Sequence, residues 1–336
     1  MGEVDAIVTI KEVAKEANVS VATISRTLNN DKNVSEKTRK HVMEVIERLG
    51  YTPNLLGRNL RVSKTNRILT LVPDISNTFY SEVLRGIDDC AEENGYMTMV
   101  STTRGNLEVE LKYVMQLYNR NFDGIILTSS EQSPEELSTS AKKAPLVMCC
   151  EYKYGAEIST VLVDNRKAEY DACRTLIEKG HKKIALVTNA YSYSAKERTQ
   201  GYTDALTEYN IPLNEQYIIK GGYEYSNGLE AAARLMGLSE PPTAILAISD
   251  LLGVAINNYV MSIGLIPGTD IDIFGFDNTM FSSASIPPIN TIAQPAYEIG
   301  TTAMQLLIKK IKEPECQTEF VVRPHAIIEK NIHIIK

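Results

Sequence analysis

The chain has 336 residues, 43% of them apolar and 23% charged, with a net charge of −7. That is an ordinary globular composition, with material for roughly two to three domains. No stretch approaches the ~18 apolar residues of a bilayer span, and Met1-Gly2-Glu3-Val4-Asp5 lacks a basic and then apolar leader, so the expected location is cytoplasmic, with no membrane partner.

Cys90, Cys149, Cys150, Cys173 and Cys316 show no Cys-x-x-Cys spacing and read as reduced thiols. His41, His181, His325 and His333 are scattered and form no His-Glu-x-x-His site, so neither a metal nor a cofactor is expected. The charge is uneven. Residues 1–67 carry +4 and the remainder −11, and within 50–67 stand Arg58, Arg61, Lys64 and Arg67 without one acid. A basic head on an acidic body suits an end that meets phosphate, although a solvated charge run is equally compatible with the charge alone.

In the head, Thr9-Ile10-Lys11-Glu12 is a capping box, followed by Ile10, Val13, Ala14 and Ala17 at helical spacing. Asn18-Val19 makes a corner, and Ser20 caps a second helix from Val21 to about Leu28. Ser35 caps a third helix with Val42, Val45, Ile46 and Leu49 inward and Gly50 as its stop. Three short helices with a tight first turn make a helix-turn-helix. The second helix would then lay Val21 and Ala22 against base edges, with Arg26 able to grip a guanine. Thr9, Ser20, Thr23, Ser25, Asn29, Ser35 and Thr38 suit phosphate oxygens, helix capping being the plainer role.

The runs Thr9–Ala14, Val19–Asn29 and Gly50-Tyr51-Thr52-Pro53-Asn54 strongly resemble the lactose/galactose repressor (LacI/GalR) family. The resemblance implies a head over 1–53, a hinge helix and linker over 54–66, and an effector-binding and dimerising body over 67–336. It also implies that the hinge orders on operator DNA, with Asn54 at phosphate and Leu60 wedged into the minor groove at the central base step. Physics agrees: so short a helix does not persist alone in water, and apolar wedges between base steps kink DNA.

From Arg67 the chain alternates apolar runs with helical patterns. Strands are expected at 68–72, 97–100, 124–128, 146–150, 160–163, 184–187, 218–220, 244–248 and 271–276, and helices at 81–94, 166–179, 196–209 and 225–237 among others. This is βαβ logic with parallel sheets, and the break near Asp164-Asn165 favours two sheets over one. The family resemblance extends over this body and implies an α/β, two-lobed periplasmic-binding-protein-like fold of doubly wound sheets. It sets crossovers near 164, 292 and 323, a first lobe over about 67–163 and 293–322, and a second over about 164–292 and 323–336.

Carried over by that resemblance, Asn77, Phe79 and Tyr80 would bond and stack on a ring, while Arg198, Asp277 and Gln294 grip hydroxyls. Glu151 and Ser249 stand where sugar-binding relatives carry different residues. Cys150-Glu151 and Gln294–Gly300 are similar to the cytidine-repressor branch, leaving sugar, sugar phosphate and nucleoside open as effector. No Gly-x-Gly-x-x-Gly, P-loop or Gly-x-Ser-x-Gly follows a strand, and Ser140-Ala141-Lys142-Lys143 lacks its partner motifs, so no catalytic residue is expected. The expected function is a transcriptional repressor, not an enzyme, binding a palindromic operator as a dimer or tetramer under control of a hydroxyl-rich small molecule. Control by a phosphocarrier protein and, more remotely, solute binding are the alternatives.

Overall fold

The computed structural model describes residues 8–28, 31–51, 64–189 and 191–330. They fall in two compact units, Met1–Lys64 and Thr65–Lys336. In the first, α1 (Ile10–Glu16), α2 (Val21–Leu28) and α3 (Glu36–Leu49) surround Val13, Ala17, Ile24, Val42, Val45 and Tyr51. The capping box is formed: Thr9 N donates to Glu12 Oε2 at 2.7 Å, and Glu12 N to Thr9 Oγ1 at 3.4 Å. Asn18 turns the corner with φ 50°, a left-handed conformation that asparagine tolerates well, and Gly50 ends α3 with φ 61°. Arg39 ties α3 to the end of α2, donating to the carbonyls of Thr27 and Asp31 at 3.2 and 2.9 Å.

The second unit is anchored from its first residue, because Asp123 accepts from Thr65 N, Thr65 Oγ1 and Asn66 N at 2.7–2.9 Å. Its strands are β1 (Arg67–Val72), β2 (Met97–Thr102), β3 (Gly124–Leu127), β4 (Leu146–Cys149), β5 (Ser159–Val163) and β6 (Ile184–Thr188). They continue with β7 (Ile218–Lys220), β8 (Ala244–Ala247), β9 (Asp272–Asp277), β10 (Asn290–Ala293), β11 (Phe320–Arg323) and β12 (Ala326–Ile328). The helices are α4 (Phe79–Glu93), α5 (Leu107–Tyr118), α6 (Pro134–Lys143), α7 (Asn165–Glu178), α8 (Tyr193–Glu208), α9 (Tyr225–Met236), α10 (Asp250–Ser262), α11 (Met280–Ala284) and α12 (Ala296–Lys312).

Two six-stranded sheets result, ordered β11-β5-β4-β3-β1-β2 and β12-β10-β9-β8-β6-β7. Every pairing is parallel except β10 with β12. The central strands are buried on both faces, as parallel sheets under helices must be. Each expected strand run coincides with one of β1–β9. The short strands β10, β11 and β12 were not among those runs.

The chain crosses between sheets three times: from β5 into α7, from β10 into α12, and from β11 to β12 through Pro324-His325 alone. All three leave from the outer two strands on one side of each sheet. His325 Nε2 lies 3.0 Å from Asp171 Oδ2 on α7, and Arg323 donates to Thr302 on α12. Within each lobe a helix pair packs backbone to backbone at glycine. A Cβ on Gly86 of α4 would overlap the Tyr297 carbonyl of α12, and one on Gly201 of α8 would overlap the Arg166 carbonyl of α7. Among the described residues, no helix is long and apolar enough to cross a membrane, and no group of three or more acidic, histidine or cysteine side chains could hold a metal.

Candidate functional site

On the head, Ala22 and Arg26 are exposed on α2, whereas Val21 is half-buried and packs against the core of the unit. The hydroxyl ring first serves the helices. Ser20 Oγ accepts from Thr23 N at 3.1 Å and lies 2.9 Å from Thr23 Oγ1. Ser35 repeats the arrangement with Thr38 at 3.2 and 2.8 Å. Each hydroxyl has two acceptor lone pairs and a rotatable proton, so a cap does not exhaust its capacity. Ser25 is half-buried on the same helix. Asn29, Asn54 and Leu60, with the whole segment 54–61, lie outside the described residues.

In the body, the expected effector residues come together at the carboxyl ends of strands from both sheets. Asn77 and Tyr80 follow β1, Glu151 follows β4, Ser249 follows β8, Asp277 ends β9 and Gln294 follows β10. That is where open α/β sheets bind ligands, because loops and helix starts converge there. Arg198, in the second turn of α8, is 6% exposed and held from three sides. Its Nε donates to Asn165 Oδ1 at 2.9 Å, its Nη1 to the Ile248 carbonyl at 2.7 Å, and its guanidinium lies over the Phe276 ring. Its Nη2 makes no hydrogen bond among the described residues.

Asp277 sits on a left-handed backbone, φ 103°, a conformation rare for aspartate and a mark of local strain. The pairing of Ala293 with Asp277 brings Gln294 alongside, and Gln294 Nε2 donates to Asp277 Oδ1 at 2.7 Å. Burial pushes the Asp277 carboxyl up to about 7 against the pull of Arg198, with Asp250 adding to the rise. Glu151 spans the two lobes: Ser194 at the start of α8 donates to it through N at 3.1 Å and Oγ at 2.5 Å. Burial raises this carboxyl too, opposed by Ser194, Arg198 and Lys153.

The two aromatics of the first lobe part company. Phe79 is buried in the lobe core with Val83 and Ile87, whereas Tyr80 hydrogen-bonds Thr128 and lies beside Cys150, Glu151 and Tyr223. Tyr80 is therefore the ring that joins the crevice. Asn77 Oδ1 accepts from Phe79 N at 3.0 Å, and Ser249 caps α10 through Leu252 N at 3.3 Å. A cavity of about 70 Å³ lies between the lobes, lined by Asn77 and Thr78 on one side and Tyr223, Ser249, Asp277 and Thr279 on the other. A larger one, about 190 Å³, opens beside Asp272 and Asn290 at the opposite ends of β9 and β10 and holds none of the expected residues.

Sequence reasoning did not single out Asn165, Glu169, Ser194, Tyr223 or Asp250. Asp250 accepts from Thr279 N and Oγ1 and from Thr291 Oγ1 at 2.5–2.8 Å, which binds α10 to the loop after β9 and to β10. Glu169 could have been found. Asn165, Glu169, Ala172, Cys173 and Leu176 recur at helical spacing, which sets a carboxylate on the apolar stripe of α7.

Residues 65–331 match the periplasmic binding proteins and sugar binding domain of the LacI family, and residues 9–54 match the bacterial regulatory proteins of the lacI family. Catabolite control protein A of Priestia megaterium is 38% identical over 325 residues, covering 95% of this chain and 97% of the relative. The HTH-type transcriptional repressor CytR of Escherichia coli (strain K12) is 35% identical over 307 residues, 90% of each chain. In fold, the chain is similar to the Lac repressor dimer bound to operator and the anti-inducer ONPF, with TM-score 0.88 at 23% identity, covering 96% of this chain and 98% of that one.

Proposed function

This chain belongs to the LacI family of bacterial regulatory proteins, a DNA-binding transcriptional regulator rather than an enzyme, and from that premise we propose how its residues divide the work. Val21, Ala22 and Arg26 read base edges in the major groove. Thr9, Ser20, Thr23, Ser25, Asn29, Ser35, Thr38 and Asn54 position the head on phosphates, and Leu60 wedges the minor groove. Two copies serve the two half-sites of a palindrome, in the cytoplasm and on the nucleoid.

The body binds a small hydroxyl-rich effector, a sugar or nucleoside. Asp277 accepts a pair of hydroxyls, Arg198 donates to them, Gln294 and Asn77 add single bonds, and Tyr80 covers a ring face. Glu151 and Ser249 shape the rim of the site. Phe79 supports Tyr80 from the core, its ring 5.4 Å from that of Tyr80. The single observation that carries this reading is the convergence of Arg198, Asp277 and Gln294 at the strand ends between two lobes.

Effector binding changes the angle between the lobes, and the hinge segments of the dimer pair or part in response. DNA affinity then follows from the difference in effector affinity between the two arrangements. Selection from random duplexes should return a palindrome bound by the dimer. Isothermal titration against pentoses, hexoses, disaccharides and nucleosides should find a ligand whose binding shifts affinity for that palindrome. A ligand whose affinity survives Asp277→Ala would put the effector site elsewhere.

A further inference from the structure

Arg198 is the one lysine or arginine buried among the described residues, and carboxyls surround it. Asp277 and Glu151 border the crevice and both feel its charge. On the α7 side, one helical turn from the Asn165 that accepts from Arg198 Nε, stands Glu169. Glu169 is 1% exposed, and neither of its oxygens has a hydrogen-bond partner among the described residues. No hydrogen bond joins it to Arg198, so the two interact through charge across the helix pair. The groups facing it are Arg198 and Tyr202 from α8 and Cys173 from its own helix. Lys153, which also acts on Glu151, is committed to the Ser130 carbonyl at 3.1 Å.

We propose that Glu169, by offsetting the charge of Arg198 from the α7 side, makes this crevice a site for uncharged hydroxyl-rich effectors and bars their phosphate esters. The proposal rests on the reading of the crevice as the effector site. Three carboxyls share one guanidinium, with the Lys153 ammonium acting on Glu151 alone, so carboxylates outnumber cations in a desolvated space where like charges repel strongly. Arg198 still offers its N–H groups to hydroxyl oxygens, but a phosphate dianion meets an excess of negative charge. Burial holds both Glu169 and Asp277 up to about 7, so the excess is present above neutrality and fades as pH falls and the two carboxyls take up protons.

The test is isothermal titration of the full chain with ribose against ribose 5-phosphate, and cytidine against cytidine 5′-phosphate, at pH 8, where the esters are dianions. At pH 8 the neutral member of a binding pair should bind at least tenfold tighter than its ester. That preference should shrink at least threefold in Glu169→Gln at the same pH. An ester bound as tightly as its parent at pH 8, or a preference that Glu169→Gln leaves unchanged, overturns the proposal. If neither member of either pair binds, the effector reading fails for these two classes, and a ligand-free measurement decides on Glu169. In the folded chain its carboxyl keeps a proton up to about 7, whereas the unfolded chain loses it near 4.5, so folding loses stability as pH rises through that window. Glu169→Gln should melt higher than the wild type at pH 8, with the gap closing by pH 5. Equal melting temperatures at pH 8 would show that Glu169 carries no buried charge, and the proposal would go with it.

Discussion

The guanidinium carbon of Arg198 lies 3.4 Å from the centroid of the Phe276 ring, in the strand that ends on Asp277. With Nε on Asn165 and Nη1 on the Ile248 carbonyl, the side chain is fixed before any ligand arrives. Preorganisation of this kind limits the ordering entropy that binding must offset. Lysine has the charge but neither the planar fork nor the stacking face. Arg198→Lys should therefore weaken effector binding by about 10- to 150-fold, the equivalent of about 1.5–3 kcal/mol for a charged hydrogen bond. A titration showing less than a twofold change would place the hydroxyl donors on other residues.

Asp277 links effector affinity to pH. Its carboxyl must be ionised to accept two hydroxyls, and burial holds it up to about 7. Affinity for a neutral polyol should rise between pH 6 and 8 in the wild type and stay flat in Asp277→Asn, at an overall loss of about 10-fold or more. Stability runs the other way. The folded state keeps a proton that the unfolded state loses near 3.8, so the ligand-free protein loses stability as pH rises from about 4 to about 7. Thermal melts across that range should show a shallower slope for Asp277→Asn, and parallel curves would contradict the shifted carboxyl.

Much of this fold was legible in the sequence. Runs such as Ile125-Ile126-Leu127 and Ile245-Leu246-Ala247 are buried throughout, and continuous apolarity between polar turns marks such strands. β11 and β12 carry alternating or partial burial over four and three residues, too weak a signal beside their length. Asp277, Arg198 and Gln294 were legible through family motifs. Phe79 was separable from Tyr80 by pattern, because Phe79, Val83, Ile87 and Cys90 recur at helical spacing as the buried stripe of α4, whereas the family motif assigns both rings to the ligand. Ser194 and Tyr223 belong to the site through the approach of one lobe to the other, which leaves no local trace.

On the head, base reading and positioning should separate. Arg26→Ala should cost about 1–3 kcal/mol on the operator and relax preference at one base pair per half-site. Ser20→Ala removes the bond to Thr23 N and should cost about 1 kcal/mol of stability, while weakening operator and random DNA alike. Competition binding with single-base operator variants tells the two apart. Equal weakening of all duplexes by Arg26→Ala would make Arg26 a phosphate contact.

Gly201 lies one turn beyond Arg198 on α8, where a Cβ would overlap the Arg166 carbonyl of α7. Gly201→Ala must push α8 from α7 and should destabilise the chain by about 3 kcal/mol or more. Because Asn165 and Arg198 join the same two helices, effector affinity should fall with it. A melting temperature within a degree of the wild type would mean that the helices can separate freely.

The three crossings between the sheets, gathered on the side of β5, β10, β11 and β12, make that side an axle and the rest of each lobe a lever arm. Pro324-His325, two residues long, fixes the β11 and β12 edges to within about 11 Å of reach. From β5 to β2 there are four strand spacings, roughly 19 Å at about 4.8 Å each, so a turn of about 10° moves the β2 edge by about 3 Å and the crossings hardly at all. Under the proposed lobe rotation, the far edge is where displacement is largest. β2 there carries Met97 and Met99, 65% and 43% exposed. A spectroscopic label on that strand would report a closure that one near β11 would miss.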